Sequence, residues 1–533
     1  MSGENQGRLD LDMKVLTVAH WQMEDGAREG WNKVFRAFEK MKAEEGVKVK
    51  IHQNVVPNRG YNQWFLTQLI GQRPADIVRP SGPQELLNRY FTPLSAYVDE
   101  PNPFNVGTPL EGIPWKDTFL GGMEGNFNTT FSEYYTVPTA AFTTRLFGNL
   151  DLIEEATGKR KMPDTLTEWL EMCQQLMEYG KKNEIAIMPV AGRLSDVLYP
   201  KYFSMLNGNI LDKNDPYYSG AMSGFEGYVL GDIPEGNVNR KRLFSPADVY
   251  QQLAPYVDNS YDTMSRDQLT YLFYAGRVGV IPSGSWDAWS IVQNSTFEVG
   301  ISQIPIIGPE HKYHDWFTGQ VSEGGSNPAG TFAIAKGTAH PELALELLHF
   351  MTSHKWNQVA MHERKWLPAV KFAEFPGILE YLKFNLEGRP SINPPYFRLW
   401  GTDKTRDEVF KVIARILKDK VVDQEASEVM IESVRANQDI YISESTERLT
   451  QLWRNMQSKE AHRSHISMGL LRKEIKPLKR ELLTFSDNLA AESLSGTLKS
   501  YLVEKRFLEA VSNPNFMRTP EEIDSAKETA EAE

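Results

Sequence analysis

The amino-acid sequence predicts an α/β fold that is divided into several domains and ends in helices. Strand and helix patterns alternate over about the first 80 residues, which is typical of a parallel sheet with helices on its faces. The chain has 533 residues, a length that corresponds to roughly three or four domain-sized units. Beyond about residue 403 the apolar residues follow a helical period almost without interruption.

The first elements follow from the spacing of apolar residues. Residues 14–21 form a continuous apolar and β-branched run, the pattern of a strand that is buried on both faces. Residues 26–44 predict a helix, because four apolar residues recur there at helical spacing. A second strand at 47–51, a helix near 61–70 and a short strand at 76–78 continue the alternation and predict a parallel sheet.

A helix start is visible in the middle of the chain, where Thr165 precedes Glu168 by three residues. In such a capping box each side chain binds a backbone N–H of the first turn. The apolar residues that follow at helical spacing include Trp169 and Cys173, so we expect both in the core. Residues 199–236 are rich in Gly, Asn, Asp, Pro and Tyr, which predicts long loops.

The second half of the chain predicts further strands and then helices. The strands are expected at 278–281, 297–305 and 331–335. Pro341 is well placed to begin a helix. Ser495 and Gly496 predict a break between two C-terminal helices, and the acidic residues 519–533 predict a solvated, frayed tail.

The composition excludes several classes of protein. Hydrophobic residues make up 41% of the chain and charged residues 24%, a globular profile. Lys and Arg number 58 against 70 Asp and Glu, a net charge of −12, which argues against general affinity for nucleic acid or anionic membranes. The single cysteine, Cys173, excludes an intramolecular disulfide and a thiolate zinc cluster. The sequence contains no run of ~18 apolar residues, the length that a membrane-spanning helix needs.

Motifs of common enzyme classes are missing from the sequence. There is no phosphate-binding P-loop, no G-x-G-x-x-G after the first strand, no H-E-x-x-H and no G-x-S-x-G. The ten histidines do not cluster at metal-ligand spacing. We therefore predict no catalytic residue, no metal and no cofactor, although a pair of carboxylates that acts on a glycosidic bond is not visible in a sequence.

Several segments carry the motifs of one family in a consistent order. The most specific is Phe-Tyr-Ala-Gly-Arg-Val-Gly-Val-Ile-Pro-Ser-Gly-Ser-Trp at residues 273–286. The others include residues 61–78, 91–97, 134–138, 146–152, 162–169 and 366–368. Together they resemble the extracellular solute-binding proteins of carbohydrate ABC importers, the family 1 group that includes maltose-binding protein. The resemblance extends over roughly residues 12–455.

The resemblance implies a two-lobe, type II periplasmic-binding-protein-like α/β fold with a hinge, an interlobe cleft and a C-terminal helical extension. The expected bounds are 12–137 and 300–345 for the N-terminal lobe, 138–299 and 346–455 for the C-terminal lobe, and 456–533 for the extension with its acidic tail. Gly148 stands where the family usually has an aromatic residue, so that one ligand contact is not carried over.

For function, the resemblance implies a monomer that captures an oligosaccharide and delivers it to the membrane permease subunits of an ABC importer. It also implies an extracellular or periplasmic location, with a lipid anchor in many relatives. Residues 1–8 contain no basic start, apolar stretch or cleavage site of an export signal. The sequence therefore fits either a cytoplasmic protein or a processed, exported chain.

Candidate ligand-binding residues lie just past the carboxyl ends of predicted strands, where open α/β sheets bind their ligands. Sugars are bound by aromatic faces and by planar polar side chains. The candidates at such positions are Trp21, Glu24, Arg79, Ser81, Gln84, Ser285, Trp286, Asp287 and Trp289. The family motifs add Tyr135, Gly325 and Trp366. Trp400 is a further candidate, and both Trp366 and Trp400 are expected on the second lobe. For each tryptophan the alternative is packing in the core.

Arg79 leaves two interpretations open. An arginine directly after a strand can bind a carboxylate or sulfate through two parallel hydrogen bonds, which suggests an acidic oligosaccharide such as a uronate. The alternative is an exposed arginine or an ion pair with Glu85.

Two other function classes also stay open. One is a carbohydrate-active enzyme that uses two carboxylates as acid and base, and the other is a sugar-sensing receptor subunit. The C-terminal extension likewise has two interpretations. It either packs on the second lobe or docks a partner through the basic stretch at 472–480.

Overall fold

The computed structural model describes residues 13–21, 27–82, 85–128, 131, 133–191, 194–210, 212, 237–257, 264, 266–323, 330–375, 377–389, 404–419, 424–471, 476–518 and 521–525. The strands in this part of the chain are β1 (Lys14–His20), β2 (Val49–Val55), β3 (Ile77–Val78), β4 (Phe127–Asn128), β5 (Glu133–Tyr134), β6 (Ala140–Ala141), β7 (Thr144–Asn149), β8 (Met188–Val190), β9 (Val278–Gly284), β10 (Val299–Ser302), β11 (Ala333–Ile334) and β12 (Leu367–Pro368).

The α-helices of the described residues alternate with these strands and dominate the C-terminal part. They are α1 (Ala27–Glu44), α2 (Asn58–Ile70), α3 (Glu85–Tyr90), α4 (Ser95–Val98), α5 (Leu150–Thr157), α6 (Leu166–Lys182), α7 (Leu194–Asn207), α8 (Asn237–Leu253), α9 (Arg266–Tyr274), α10 (Ser285–Asn294), α11 (Pro341–Met351), α12 (His354–Arg364), α13 (Lys404–Asp419), α14 (Ala426–Ala436), α15 (Gln438–Leu470) and α16 (Pro477–Val511).

The chain is divided into two compact units, each assembled from separate stretches of sequence. Unit 1 consists of Met1–Asn128, Glu133–Phe142 and Gly324–Lys383. Unit 2 consists of Thr129–Ser132, Thr143–Glu323 and Phe384–Glu533.

Unit 1 is built on a four-stranded sheet with the order β11-β3-β1-β2. Strand β1 is parallel to both β2 and β3, with Val18 paired with Gln53 and with Ile77. The expected parallel arrangement of the first three strands is therefore confirmed. Strand β11 adds an antiparallel edge next to β3.

Helix α1 packs one apolar face against the core of unit 1. Trp31, Phe35 and Phe38 are at most 2% exposed. The ring of Phe38 meets Phe350 of α11 at 5.3 Å, and Trp31 meets Phe332 edge-on at 5.9 Å. A stripe of aromatic residues along one helix thus forms much of the core of unit 1.

Unit 2 is built on a sheet with the order β10-β7-β9-β8. Helix α6 begins at the expected capping box, in which Thr165 Oγ1 accepts from the N–H of Glu168 and Glu168 binds the Thr165 N–H. Its buried face carries Trp169 and Cys173, both fully buried as predicted. Burial raises the pKa of the Cys173 thiol, which keeps it protonated and unreactive.

The C-terminal helices belong to unit 2. Helices α15 and α16 pack along each other as a long hairpin. Near its end, Phe507 and Val511 are fully buried in the same hydrophobic cluster as Leu146 and Trp169. The guanidinium of Arg435 donates to the carbonyl of Met517 at 2.7 and 3.0 Å. These contacts favour an extension that packs on its own unit.

Three local predictions differ from the structure. Part of the predicted loop region, residues 199–207, is helical, because α7 buries Leu198, Tyr202 and Phe203 in the core despite Pro200. The predicted break at Ser495 and Gly496 is wrong, since α16 continues through both and packing against α15 outweighs the helix cost of glycine, about 1 kcal/mol.

The third difference concerns the predicted frayed tail. Residues 521–525 are helical, and Glu522 forms an ion pair with Arg435. A partner on the folded unit therefore holds this part of the C-terminus. Residues 526–533 lie outside the described part of the chain.

The two units also differ from the expected lobe bounds. Residues 300–323 lie in unit 2, because β10 pairs with β7. Residues 346–383 and 138–142 lie in unit 1, because α11 and α12 pack on α1 and β12 pairs with β6. These boundaries are set by strand pairs and helix contacts between residues far apart in sequence, which the sequence motifs do not predict. Among the described residues, none of the helices is both long enough and apolar enough to cross a bilayer.

Candidate binding edge on unit 1

The carboxyl ends of β1 and β3 bring two of the candidate residues to one edge of the unit 1 sheet. Ala19 of β1 pairs with Val78 of β3, so the next residues leave the sheet side by side. The N–H of Arg79 donates to the carbonyl of Ala19 at 3.1 Å. Trp21 and Arg79, which were predicted from strand ends alone, therefore lie next to each other.

An arginine and two aromatic rings form the centre of this edge. The guanidinium carbon of Arg79 lies 3.2 Å from the centroid of the Trp21 ring, a cation–π contact. Tyr61 of α2 packs edge-on against Trp21 at 4.9 Å and donates its hydroxyl to the Arg79 carbonyl at 2.7 Å. Trp21 and Arg79 are half-buried. We call Trp21, Tyr61, Arg79, Ser81 and Asn62 the binding edge.

Ser81 adds a polar group to the binding edge. Its hydroxyl donates to Oδ1 of Asn62 at 3.1 Å, and Asn62 is exposed. The edge thus presents the indole of Trp21 after β1, the guanidinium and hydroxyl of Arg79 and Ser81 after β3, and the amide of Asn62 on α2.

A buried histidine lies directly behind the binding edge. His20 is fully buried, and burial together with the positive charges of Arg364, Arg79 and Arg28 lowers its pKa to about 3. Its Nε2 lies 2.9 Å from Nε2 of Gln53, so the neutral ring accepts the amide N–H. The histidine therefore stays uncharged beside a cluster of arginines at neutral pH.

Two other candidates of unit 1 lie away from solvent. Tyr135 is 3% exposed and donates its hydroxyl to Asn88 at 3.0 Å. Trp366 is 9% exposed and lies under Arg364, with 3.6 Å between the guanidinium carbon and the ring centroid. Trp366 was expected on the second lobe but belongs to unit 1, because β12 pairs with β6. Both rings have structural contacts in the described state.

The candidates of unit 2 surround the junction of β9 and α10. The hydroxyl of Ser285 accepts from the N–H of Thr143 at 3.1 Å, and the Ser285 N–H donates to the Thr143 carbonyl at 2.8 Å. Asp287 accepts from the hydroxyl of Ser283. The Trp286 ring lies so close to Gly284 that a Cβ there would be 2.3 Å from it. Trp286, Asp287 and Trp289 are partly exposed, whereas Ser285 is buried.

Four of the predicted residues fall outside the described part of the chain. They are Glu24, Gln84, Gly325 and Trp400. The side chain of Glu85, the alternative partner of Arg79, also lies outside it.

Gly148 departs from the family motif for a steric reason. A Cβ at this position of β7 would lie 2.4 Å from the Met162 sulfur and 2.9 Å from its terminal methyl. The thioether therefore occupies the volume that an aromatic side chain would need.

No metal site is visible among the residues that the structure describes. No three His, Cys, Asp or Glu side chains there are grouped in a way that could hold an ion. His311 uses both ring nitrogens inside the protein, with Nε2 3.2 Å from Gln252 Oε1 and Nδ1 accepting from the Tyr313 N–H at 3.2 Å.

Sequence reasoning missed Tyr61 and Asn62 as members of the binding edge. Both lie in the first turns of α2, which follows directly on β2. The residues after β2 reach the same carboxyl edge as those after β1 and β3, because the three strands are parallel. Applying the strand-end rule to β2 would have included them.

Comparison with known proteins places this chain in a family. The sequence profile described as bacterial extracellular solute-binding protein matches residues 24–358, more than half of the chain. The galactooligosaccharide-binding protein of Bacillus subtilis (strain 168) is 26% identical over 259 residues, which cover 46% of this chain and 52% of that protein. The chain therefore spans about half the length of the curated relative that it matches.

Two solved structures have a similar fold. RafE from Streptococcus pneumoniae superposes with a TM-score of 0.54 at 17% identity, covering 78% of this chain and 96% of that one. The GacH receptor of Streptomyces glaucescens GLA.O gives a TM-score of 0.52 at 15% identity, covering 79% and 96%. At such identities the likeness concerns the fold, and the expected type II periplasmic-binding-protein-like α/β fold is confirmed. The chain belongs to the bacterial extracellular solute-binding proteins, which are a family of binding proteins.

Proposed function

We propose that this protein binds a carbohydrate at the binding edge of unit 1 and delivers it, unchanged, to the permease subunits of an ABC importer. The observation that carries the proposal is the contact of Arg79 and Tyr61 with Trp21 at the carboxyl edge of the sheet. The protein then acts as a receptor and not as an enzyme.

The chemistry of the edge suits a sugar. The C–H faces of a pyranose ring pack on aromatic rings, and its hydroxyls accept and donate hydrogen bonds to planar polar groups. Trp21 offers a partly exposed indole, while Arg79, Ser81 and Asn62 offer donors and acceptors around it. The contacts with Arg79 and Tyr61 hold the indole in place, so less side-chain entropy is lost on binding.

The relatives support an oligosaccharide as the ligand class. The Bacillus subtilis relative is named for galactooligosaccharides. RafE is described in complex with raffinose, and GacH in complex with acarbose. A further protein of this fold is described as a chitin oligosaccharide binding protein.

The test is calorimetric titration with raffinose, acarbose, chitin and galacto-oligosaccharides, and a trimer of galacturonic acid. We expect saturable binding of at least one sugar by the parent protein. Trp21→Ala should weaken it by more than about tenfold, since ring stacking and apolar contact of this size contribute roughly 1–3 kcal/mol. Trp453→Ala is the matched control, because Trp453 is a half-exposed tryptophan on α15.

Chromatography of the recovered sugar separates the receptor from the alternatives. Intact sugar at one equivalent per chain supports the receptor, and shortened sugar would support the carbohydrate-active enzyme. If Trp21→Ala and Trp453→Ala bind equally well, the binding edge is the wrong place. If no sugar in the panel binds, the proposed function itself is wrong.

Arg79 decides whether the ligand is acidic. Its guanidinium already lies flat on an aromatic ring at the sheet edge, a position from which its N–H groups can bind a carboxylate in its plane. For an acidic ligand, Arg79→Met should abolish binding of the galacturonate trimer and spare the neutral sugars. The control is Arg415→Met, which changes an exposed arginine of α13. Equal losses for neutral and acidic sugars would exclude the acidic preference.

The same proposal places the protein outside the cytoplasmic membrane, where the family description locates its members. Protease treatment of intact cells of the source organism tests this, since an external protein is digested and a cytoplasmic one is protected. Reconstitution with candidate permease subunits then distinguishes transport from sensing, because only transport accumulates the labelled sugar inside vesicles.

A further inference from the structure

A buried ion pair in unit 2 has no role in the binding edge. Arg145 and Glu323 have side chains that are 1% and 2% exposed. Nη1 of Arg145 donates to Oε1 of Glu323 at 2.7 Å and Nη2 donates to Oε2 at 3.2 Å, a two-pronged contact. Nζ of Lys201 donates to the same Oε1 at 3.4 Å.

The position of this ion pair along the chain is unusual. The chain passes between the units five times, and the last three of these passages are at Phe142/Thr143, at Glu323/Gly324 and at Lys383/Phe384. Arg145 lies just after the first of these three passages, and Glu323 is the last residue before the second. The ion pair therefore joins the unit 2 ends of two connections between the units.

The third connection binds the same carboxylate. The N–H of Asn385, just after the passage at Lys383/Phe384, donates to Oε2 of Glu323 at 2.9 Å. The N–H of Glu323 in turn donates to the Asn385 carbonyl at 2.7 Å. One carboxylate thus accepts from residues of the first and third connections, and it belongs to the second.

We propose that Glu323 is a positioning residue that fastens these three connections to one point of unit 2, so that they move together when the units rearrange during ligand capture. This inference rests on the proposed function. It assigns the unit 2 ends of the hinge expected for the family to one specific anchor.

The physical reason lies in what a buried ion pair does well. Replacing such a pair by apolar residues often leaves stability unchanged or improves it, because desolvation costs as much as the attraction gains. Its geometry, however, is strict, since an arginine fork and a backbone N–H must meet two oxygens in fixed directions. A residue that fixes relative positions is a better explanation here than one that adds stability.

The test uses distances between two spin labels in the full chain. Labels are placed at Lys40→Cys on α1 of unit 1 and Gln175→Cys on α6 of unit 2, which are exposed positions. The native Cys173 is buried and is not labelled. The width of the distance distribution is measured without sugar and with saturating raffinose, and calorimetry gives the raffinose affinity.

The decisive variant is Glu323→Asp, which keeps the negative charge beside Arg145 but is one methylene too short to hold both partners. We expect a distribution about twofold wider without sugar and an affinity about tenfold lower, because fewer molecules are in the binding-competent state. Asn385→Pro, which removes the N–H of the third connection together with the side-chain acceptor of the Glu387 N–H, should have a smaller effect in the same direction. Lys201→Met is the matched control, since it removes a neighbour of Glu323 that lies on no connection, and it should match the parent.

The outcomes are distinct. If Glu323→Asp lowers the unfolding temperature but leaves the distribution as narrow as in the parent, the ion pair is merely structural and the proposal fails. If Lys201→Met widens the distribution as much as Glu323→Asp, then any substitution around Glu323 increases the variation in the distance between the labels, and the proposal also fails. If the parent binds no sugar but Glu323→Asp still widens the distribution of label distances, the positioning role of Glu323 is supported and the proposed function is wrong.

Discussion

Arg79 of unit 1 and Arg145 of unit 2 have opposite environments. In unit 1, Arg79 lies at the sheet edge, half-buried, with the Trp21 ring against its face. In unit 2, Arg145 lies inside, with both terminal nitrogens bound to Glu323. The same contrast holds for serine, since Ser81 lies on the binding edge and Ser285 is buried against Thr143.

The comparison teaches that a position after a strand does not by itself make a residue a ligand contact. Unit 1 places polar groups at an edge, where a ligand could reach them. Around β7 and the start of α10, unit 2 uses comparable groups to bind its own side chains and backbone. Substitutions at matched positions should therefore affect ligand binding in unit 1 and stability in unit 2.

The largest expected effect is on Arg145. Arg145→Met leaves the Glu323 carboxylate buried without its main partner, so the free energy of unfolding should fall by about 3–5 kcal/mol. Arg79→Met removes a half-exposed cation–π contact and should cost about 1 kcal/mol or less. Urea unfolding monitored by circular dichroism measures both. Equal losses of unfolding free energy in the two variants would contradict the difference between Arg79 and Arg145.

The second effect concerns pH and the neutral histidines of unit 1. Burial lowers the pKa of His349 to about 4, below the ordinary value near 6.5 that it regains on unfolding. The unfolded chain therefore binds a proton that the folded chain does not, so stability is complete above about pH 6.5 and falls as the pH drops toward 4. The same direction applies to His20.

The variant His349→Phe tests this directly. A phenyl ring retains the packing on Trp115, whose ring centroid lies 4.0 Å away, and it does not titrate. The difference in unfolding free energy between pH 7.5 and pH 4.5 should shrink by as much as about 3 kcal/mol, since each unit of pKa corresponds to about 1.4 kcal/mol. A difference as large as that of the parent would show that His349 does not contribute.

The smallest effect compares the two serines. Ser285→Ala leaves the buried N–H of Thr143 without its acceptor and should destabilise the protein by about 1–3 kcal/mol. Ser81→Ala removes an exposed bond to Asn62 and should change stability by less than about 0.5 kcal/mol. Thermal unfolding of the pair checks this. A larger loss for Ser81→Ala would mean that the binding edge also supports the fold.

Local features of the fold were predictable from sequence, and features that depend on distant pairing were not. The parallel strands β1 to β3, the capping box at Thr165 and the burial of Cys173 follow from periods and caps that span a few residues. The continuous helix through Gly496 and the helix over 199–207 did not, because tertiary packing there outweighs local preference. Trp21 and Arg79 were found together by the strand-end rule, whereas Arg145 binds Glu323 and Glu323 binds Asn385, partners far apart in sequence that leave no local signal.

The pairing of β3 with β11 in unit 1 affects how the protein is made. Ile77 and Ile334 are register partners, so the sheet of the first unit is incomplete until the ribosome has passed both. At 5–20 residues per second, that interval lasts roughly ten to fifty seconds. During it, the edge of β3 lacks its neighbour and the aromatic face of α1 lacks α11, which exposes surfaces that favour misassembly. The unit that emerges first is therefore completed only after most of the second has been synthesised, and a chaperone that holds nascent chains would act in that interval.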